Sequence, residues 1–303
     1  MADKKESTKR LALVALIVAA ACFPLFGIAA RLVNLGVPPL FQVTFRVGLG
    51  FLLTTAIFQK QIRWSKIKHI SKKDWLALLL MGVVGYGIST YLTTVGVLKT
   101  TLINTSVVGN VEPFFVFLFA FIFLRDKLDK TNFATFLFTV TSFVGITVVS
   151  TNSLVPELSK FGIGELYILG FAATSALYII GAKLLSDYLN TTEITVITMI
   201  LASSSTGLIA IVTRESLTFS NLFLVQVAGG LLLGGALNVI AMLLQNFAYK
   251  HVQGVLASQI LLAATLFSLL YGYLFYRELP TLIELAGSVL VIGSVYLNNM
   301  YSR

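Results

Sequence analysis

Residues 11–33 read LALVALIVAAACFPLFGIAARLV, and Arg31 is the one charged residue in this stretch. A helix needs about 20 predominantly apolar residues to cross the hydrocarbon core of a bilayer, so the stretch is long enough to span a membrane. Four basic residues precede it, as they do in secretory signal peptides, but the apolar run continues well past Cys22 and is too long for a signal-peptide core. We therefore interpret it as a retained first membrane span.

The whole chain has the composition of a membrane protein. Hydrophobic residues make up 57% of its 303 residues, charged residues make up 12%, and the mean hydropathy is +0.89, whereas a soluble domain is typically about a quarter charged. Such a chain lacks the ionic surface to remain in water, so we expect the lipid bilayer to cover it and we expect no nucleic-acid partner. One cysteine and two histidines favour neither a disulfide framework nor a metal centre, and we expect no cofactor.

Charge clusters and helix breakers divide the chain into ten apolar runs of the length that a transmembrane helix requires. The runs are 11–33, 38–59, 74–97, 101–124, 131–150, 162–184, 192–213, 220–249, 252–276 and 280–300. The alternating pattern of barrel strands is absent. The predicted fold is therefore an all-α polytopic membrane protein with ten transmembrane helices, preceded by a tail at 1–10.

The distribution of Lys and Arg predicts the orientation of the chain. If the N-terminus is cytoplasmic, the segments on that side hold 16 of the 22 basic residues and those on the opposite side hold five, while Arg46 lies within a span. Cytoplasmic loops of membrane proteins carry such an excess of basic residues. We expect both termini in the cytoplasm and a location in the plasma membrane. The net charge of +9 therefore reflects the orientation of the chain in the membrane.

The chain also resembles itself at an offset of 152 residues. The tetrapeptide FLRD at 123–126 falls on FYRE at 275–278, and Arg31 falls on Lys183. A repeat of five spans is odd-numbered, so the second copy must enter the membrane in the opposite direction, an arrangement that recurs in secondary transporters. We therefore predict two inverted five-helix repeats. The predicted units are a first repeat at 11–150, a connecting loop at 151–161 and a second repeat at 162–300.

Short motifs add to this pattern. Arg46 lies early in the second span, a Glu112-Pro113 pair lies within the fourth, and Asp126 follows thirteen residues beyond the proline. Together with ten spans in two copies, these residues resemble the EamA-type branch of the drug/metabolite transporter superfamily.

The chain departs from the pattern of that family at two places. The Gly-Glu pair that usually follows the fourth span is Arg125-Asp126 here, and the second copy has Ala264-Thr265 where the first has its Glu-Pro pair. The resemblance implies a substrate cavity formed largely by the first, third, fourth, sixth, eighth and ninth spans. It also implies export or exchange of small metabolites such as amino acids.

Arg46 and Glu112 are the two ionisable residues that clearly fall at membrane depth, where an isolated charge costs several kcal/mol and indicates a functional site. At about 1.5 Å per residue, Glu112 lies roughly 16 Å and Arg46 roughly 12 Å from the same membrane face. Glu112 is predicted to act as a proton or cation relay, or to bind a substrate amine. The alternative is a structural Arg46–Glu112 ion pair, which is costly to break on one side only.

Further polar and aromatic residues are candidates for the cavity wall. They are Tyr86, Asn110, Tyr178, Asn238 and Gln245. Tyr86 begins a polar stripe along the third span, and Asn110 is close to the Glu-Pro pair. Tyr178 matches an aromatic residue of the first span in the repeat, so it is a candidate gate. Polar residues of membrane helices also bond helices to each other, so a packing role is the alternative for these residues.

The chain contains no phosphate-binding loop, nucleotide fingerprint or zinc-protease motif, so an ATP-driven pump and an enzyme are both disfavoured. We predict a secondary transporter that exports small-molecule substrates such as amino acids by alternating access, with proton coupling as one option. The alternatives are a transporter of a lipid-linked cargo, and a membrane-embedded accessory protein or enzyme without transport of its own.

Overall fold

The computed structural model describes residues 2–68, 70–109, 111–124, 162–218, 224–252 and 254–279, and three isolated positions beyond them, 282, 285 and 289. All regular secondary structure within these residues is helical. A helix satisfies its own backbone polar groups inside lipid, so long apolar sequence with few charges favours it. The predicted all-α class is confirmed for the described residues.

Six helices in the described part of the chain are long and apolar enough to cross a membrane. They coincide with the predicted first, second, third, sixth, seventh and eighth spans. The helices are α1 (Ala2–Val33), α2 (Pro39–Phe58), a composite helix over Lys72–Lys99, α8 (Ile163–Leu185), α9 (Thr191–Val212) and α10 (Val225–His251). A short α3 (Trp64–Lys68) precedes the composite helix, which consists of α4 (Lys72–Leu79), a π-helical segment (Leu80–Ile88) and α5 (Ser89–Lys99).

The predicted fourth and ninth spans are not continuous helices, and this corrects the sequence prediction. The fourth consists of α6 (Leu102–Gly109), α7 (Glu112–Phe119) and a π-helical turn (Ala120–Leu124). The ninth consists of α11 (Gly254–Leu261), α12 (Ala264–Tyr271) and a π-helical turn (Gly272–Tyr276). A proline is tolerated in the first turn of a helix, and Pro113 lies in the first turn of α7.

Several predicted features lie outside the described residues. These are Asn110, Asp126, the fifth span at 131–150, the connecting loop at 151–161 and the tenth span at 280–300 apart from the three isolated positions.

The helix boundaries of the two broken spans recur at the offset found in the sequence. Helix α6 begins at residue 102 and α11 at 254, α7 begins at 112 and α12 at 264, and the two π-helical turns begin at 120 and 272. Each pair differs by 152 residues. The two halves therefore share the position of the break as well as short sequence motifs.

Helices from the two halves pack closely against each other. A Cβ atom added to Gly85 in the composite helix would lie 2.6 Å from the backbone nitrogen of Tyr178 in α8. This approach needs a glycine, because backbone atoms cannot rotate away as a side chain can. Helices α2 and α9 meet through a 3.0 Å hydrogen bond between the hydroxyls of Thr44 and Thr206.

Charged residues from each half also cap helices of the other half. Arg63, which follows α2, donates from Nε and Nη2 to the Glu193 carboxylate in the first turn of α9, both at 2.7 Å. Glu215, which follows α9, accepts hydrogen bonds from the backbone N–H groups of Phe41 and Leu40 in the first turn of α2. Burial raises the pKa of Glu215, and these two bonds offset part of that effect.

Candidate functional site

A cavity of about 170 Å³ lies between the two halves. It is lined by residues of the predicted first, third, fourth, sixth, eighth and ninth spans, together with Arg46 of the second. Six of the seven residues selected from the sequence line it, and the seventh, Asn110, lies outside the described residues. The six are Arg46, Tyr86, Glu112, Tyr178, Asn238 and Gln245.

Glu112 projects from the break in the predicted fourth span. It occupies the first turn of α7, where the helix dipole favours a negative charge. The Ser175 side chain hydrogen-bonds its carboxylate, and the Tyr249 hydroxyl is close enough to interact with it electrostatically. Glu112 is only partly buried by the protein, so its carboxylate is accessible to a molecule in the cavity.

Arg46 lies deep in the same cavity wall and is 4% exposed. Its Nη2 atom donates to Thr94 Oγ1 at 3.1 Å, and its Nη1 atom is 3.5 Å from the carbonyl oxygen of Phe26. The guanidinium carbon lies 5.7 Å from the centre of the Phe26 ring. Helix α10 makes room for the side chain at Gly234, where an added Cβ would lie 2.2 Å from Arg46 Cδ.

Arg46 and Glu112 do not form an ion pair in this conformation. The salt bridges among the described residues are Arg10–Glu6, Arg31–Glu278 and Arg63–Glu193. The structural pair, which was the alternative from the sequence, is therefore not formed in this conformation: equal depth in the membrane does not bring two side chains together when their helices point them in different directions. The cavity therefore contains a carboxyl group and a guanidinium group that are not paired with each other.

A row of three tyrosines connects the surroundings of the two charges. The rings of Tyr86 and Tyr178 are 5.5 Å apart, and those of Tyr178 and Tyr249 are 6.2 Å apart. The Tyr86 hydroxyl donates to Asn238 Oδ1 at 2.6 Å, and Gln245 Nε2 donates to the Tyr249 hydroxyl at 3.0 Å. These bonds give the mostly apolar cavity a polar side.

Polar contacts close one end of the cavity, and we name them the Arg31 latch. Arg31 Nη1 donates to Glu278 Oε1 at 3.0 Å, and Glu278 Oε2 accepts from the backbone N–H of Leu102 at 3.0 Å. Arg31 also donates to the carbonyl oxygens of Val97 at 3.3 Å and Thr100 at 3.0 Å. Since Val97 and Leu102 line the cavity, the latch lies directly at its end.

Contacts at Lys183 repeat part of the Arg31 latch, but within the second half. Lys183 Nζ donates to the carbonyl oxygens of Tyr249 at 3.0 Å and Val252 at 3.3 Å. These three residues match Arg31, Val97 and Thr100 at the offset of 152 residues. The residue that matches Glu278 is Asp126, which lies outside the described residues, so the described Lys183 contacts do not join the two halves.

Sequence reasoning missed two of the polar residues around Glu112. Ser175 and Tyr249 were not among the candidates, although both line the cavity. Tyr249 lies one helical turn after Gln245 and matches the cavity-lining Val97 in the repeat, so its position offered a signal. Ser175 carried none, because one serine in an apolar helix is common.

No group of three or more His, Cys, Asp or Glu side chains that would suit a metal ion occurs among the described residues.

The two halves each match the model of the EamA-like transporter family, at residues 10–151 and 162–300. The chain is 22% identical over 262 residues to the uncharacterized transporter sll1164 of Synechocystis sp., covering 84% of this chain and 74% of the relative. It is 23% identical over 189 residues to the uncharacterized transporter YyaM of Bacillus subtilis, covering 61% of this chain and 59% of the relative. A crystal structure of a protein 14% identical to it has the same fold, with a TM-score of 0.71 over 97% of both chains.

Proposed function

The chain belongs to the EamA-like transporter family, and we propose that it is a secondary transporter that exports small metabolites such as amino acids by alternating access. It is a multi-pass membrane protein, and we place it in the plasma membrane with both termini in the cytoplasm, as the distribution of basic residues predicts.

The observation that carries this proposal is the cavity between the two halves. It holds one carboxylate and one guanidinium among the described lining residues, at positions that the sequence places inside membrane spans. Charges inside a membrane are costly and mark substrate or ion pathways. A protein with a purely structural role has no use for two unpaired charges facing a cavity.

The repeated contacts support alternating access. In transporters built from inverted repeats, one repeat rocks against the other around a site near the bilayer midplane. Here the helix breaks recur at one offset, and so do the carbonyl contacts that Arg31 and Lys183 make within their own halves. We propose that the two copies are inverted five-helix repeats, and that breaking the Arg31–Glu278 contact between the halves accompanies opening of the cavity at that end.

Glu112 is our candidate for coupling. Since it is not paired with Arg46, its carboxylate is free to exchange a proton with the cavity or to bind a cation. The neighbouring Ser175 and Tyr249 are neutral groups, so a bound cation or proton would be the partner that neutralises this carboxylate.

Efflux of radiolabelled amino acids from cells that express the protein tests the proposal. We expect Glu112→Gln to lower the efflux rate at least tenfold while the amount of protein in the membrane is unchanged. Glu215→Gln, which replaces a carboxyl group outside the cavity lining, is the matched control and should leave efflux intact. Unchanged efflux in Glu112→Gln would remove this residue from the mechanism.

Two further measurements separate the alternatives. Dissipating the proton gradient should abolish concentrative transport if Glu112 carries protons, and intact transport would exclude proton coupling. Flux in proteoliposomes that contain only the purified protein would exclude an accessory role, because no partner is then present.

A further inference from the structure

Three hydrogen-bond donors on side chains that line the cavity have no protein acceptor. Arg46 Nε, Asn238 Nδ2 and Thr93 Oγ1 are all buried and have no hydrogen-bond partner among the described residues. All three side chains line the cavity. A buried donor without an acceptor costs about 1–3 kcal/mol, so donors left unpaired on a cavity wall indicate a ligand that accepts from them.

Arg46 and Asn238 belong to one cluster around Tyr86. The Tyr86 hydroxyl bonds to Asn238 and interacts electrostatically with Arg46. Gly234, whose added Cβ would lie against the Arg46 side chain, is one helical turn before Asn238 in α10. Gly50, one turn after Arg46 in α2, approaches Asn238 Cβ, since its own added Cβ would lie 3.3 Å away.

The charge of this cluster is positive and uncompensated. No Arg46 salt bridge occurs among the described residues, and its acceptors there are a hydroxyl and a carbonyl oxygen. Burying a guanidinium without a counter-ion costs several kcal/mol. An anionic ligand group recovers part of that cost, because its charge is complementary and the planar guanidinium matches a carboxylate.

The cluster suits a single negative charge. Arg46 is the one cation among the described residues that line the cavity, and the carboxylate of Glu112 faces the same space. A dianionic phosphate would meet one positive charge and one negative charge there. A carboxylate carries the single charge that Arg46 neutralises, and the mostly apolar remainder of the wall favours a hydrophobic group beside it.

The second half of the protein lacks this arrangement. The residue that matches Arg46 at the offset of 152 is Thr198, which is fully buried and does not line the cavity. There is therefore one such cluster within the described residues, and it makes the otherwise repeated cavity asymmetric.

We propose that Arg46 and Asn238 bind the carboxylate of the transported molecule, so that the acid group and not the amine is the feature that the cavity recognises. This inference rests on the proposed transport function and narrows the cargo to hydrophobic monocarboxylates, of which amino acids are one kind.

Binding of four matched ligands to the purified wild-type protein tests the inference. The ligands are leucine, its 2-hydroxy acid, leucinamide and isopentylamine, and ligand-induced thermal stabilisation is the readout. The hydroxy acid, which has no amine, should stabilise the protein as leucine does, and the amide and the amine, which can meet only Glu112, should stabilise it less. Equal stabilisation by the amine or the amide would overturn the inference.

A variant with a built-in carboxylate gives a second test. Asn238→Asp places a carboxylate beside Arg46, so it should fold with the new ion pair and lose at least tenfold in affinity for both acids. Thr198→Val replaces the matching buried position outside the cavity and should bind as the wild type does. Wild-type affinity for the acids in Asn238→Asp would overturn the inference.

Transport of the same four ligands separates a failure of the proposed carboxylate site from a failure of the proposed transport function. Proteoliposome uptake of the two acids by the wild-type protein supports both. Uptake of isopentylamine as fast as that of leucine overturns the carboxylate site and leaves the transporter proposal standing. Absence of flux for all four ligands counts against the proposed transport of amino acids, and the inference fails with it.

Discussion

Glu278→Gln should open the Arg31 end of the cavity. Glu278 accepts two hydrogen bonds, from Arg31 Nη1 and from the Leu102 N–H, both at 3.0 Å, and the side chains of the ion pair are only 20% and 15% exposed. Both donors belong to the first half and Glu278 to the second, so separating the halves at this end breaks both bonds. Glutamine retains an oxygen acceptor but no charge.

The expected size of the effect follows from these contacts. Hydrogen bonds to charged groups contribute about 1.5–3 kcal/mol each when partly buried, and the glutamine oxygen preserves part of one. We take the net loss as about 2 kcal/mol, which is about 30-fold in the equilibrium between closed and open forms. Arg31 keeps its bonds to Val97 and Thr100 and its position 4.2 Å from the Tyr276 ring, so the latch is weakened and not abolished.

Cysteine labelling measures this equilibrium. In a Cys22→Ala background, Thr105→Cys places a thiol on the cavity wall close to the Arg31 latch, because Thr105 lines the cavity one turn after Leu102. A membrane-impermeant maleimide should label this thiol up to about 30-fold faster when Glu278→Gln is added. Labelling intact cells and inside-out vesicles in parallel also tests the orientation, since the basic residues predict that the Arg31 end faces outward.

The repeat-related contacts at Lys183 supply the control. Lys183→Gln removes a charge whose described hydrogen bonds, to Tyr249 and Val252, both lie within the second half, so it should leave the labelling rate of Thr105→Cys close to that of the background variant. An unchanged rate in Glu278→Gln, or the same increase in Lys183→Gln, would refute the assignment of the Arg31–Glu278 contact as the closure between the halves.

Two further substitutions test the packing and the electrostatics of the fold. Gly85→Ala should lower the free energy of unfolding by about 1–3 kcal/mol in denaturation experiments, because the new methyl group meets the Tyr178 backbone at 2.6 Å. In Gly229→Ala the new methyl group meets nothing within 4 Å, so this variant should instead be more stable than the wild type by up to about 1 kcal/mol. Equal effects of the two substitutions would count against the packing argument. Burial raises the pKa of Glu215, so ionising this group costs more free energy in the folded than in the unfolded protein. Below the ordinary pKa of about 4.3 the group is protonated in both states and this cost is absent. The cost appears as the pH rises from that value to the raised pKa of the folded protein. Glu215→Gln should therefore raise the thermal midpoint at pH 7 relative to wild type and leave it unchanged at about pH 4, and a lower midpoint at pH 7 would contradict this sign.

The sequence predicted those features that depend on hydrophobicity averaged over many residues. Six spans were located correctly because each has enough apolar residues to register in any window of bilayer length. The breaks before Glu112 and Ala264 were not predicted as interruptions, because one turn of irregular backbone changes the mean hydropathy of a span very little. Pro113 was the local signal of the first break, and Ala264 offers no comparable signal for the second.

Counting residues along each span predicted the depth of a side chain in the membrane, but it could not predict the direction in which that side chain points. Arg46 and Glu112 were placed at similar depths, which suggested a pair, but the rotation of each helix directs Arg46 towards Thr94 and Glu112 towards Ser175. The latch illustrates the same limit. The repeat drew attention to Arg31 and Glu278 as separate matches, and only the tertiary structure brings them into one ion pair between the halves.

The two halves share their helix breaks and carbonyl contacts, but they do not share the two ionisable residues of the cavity. The helix breaks recur at the same offset, and so do the carbonyl contacts of Arg31 and Lys183, which hold helices together within each half. The charges do not recur, because Arg46 is matched by Thr198 and Glu112 by Ala264. A cargo binds once per transport cycle in one orientation, so its recognition requires groups that the repeat does not duplicate. Substitutions at the Arg31–Glu278 contact should therefore change how readily the cavity opens, and substitutions at Arg46 or Glu112 should change what it binds.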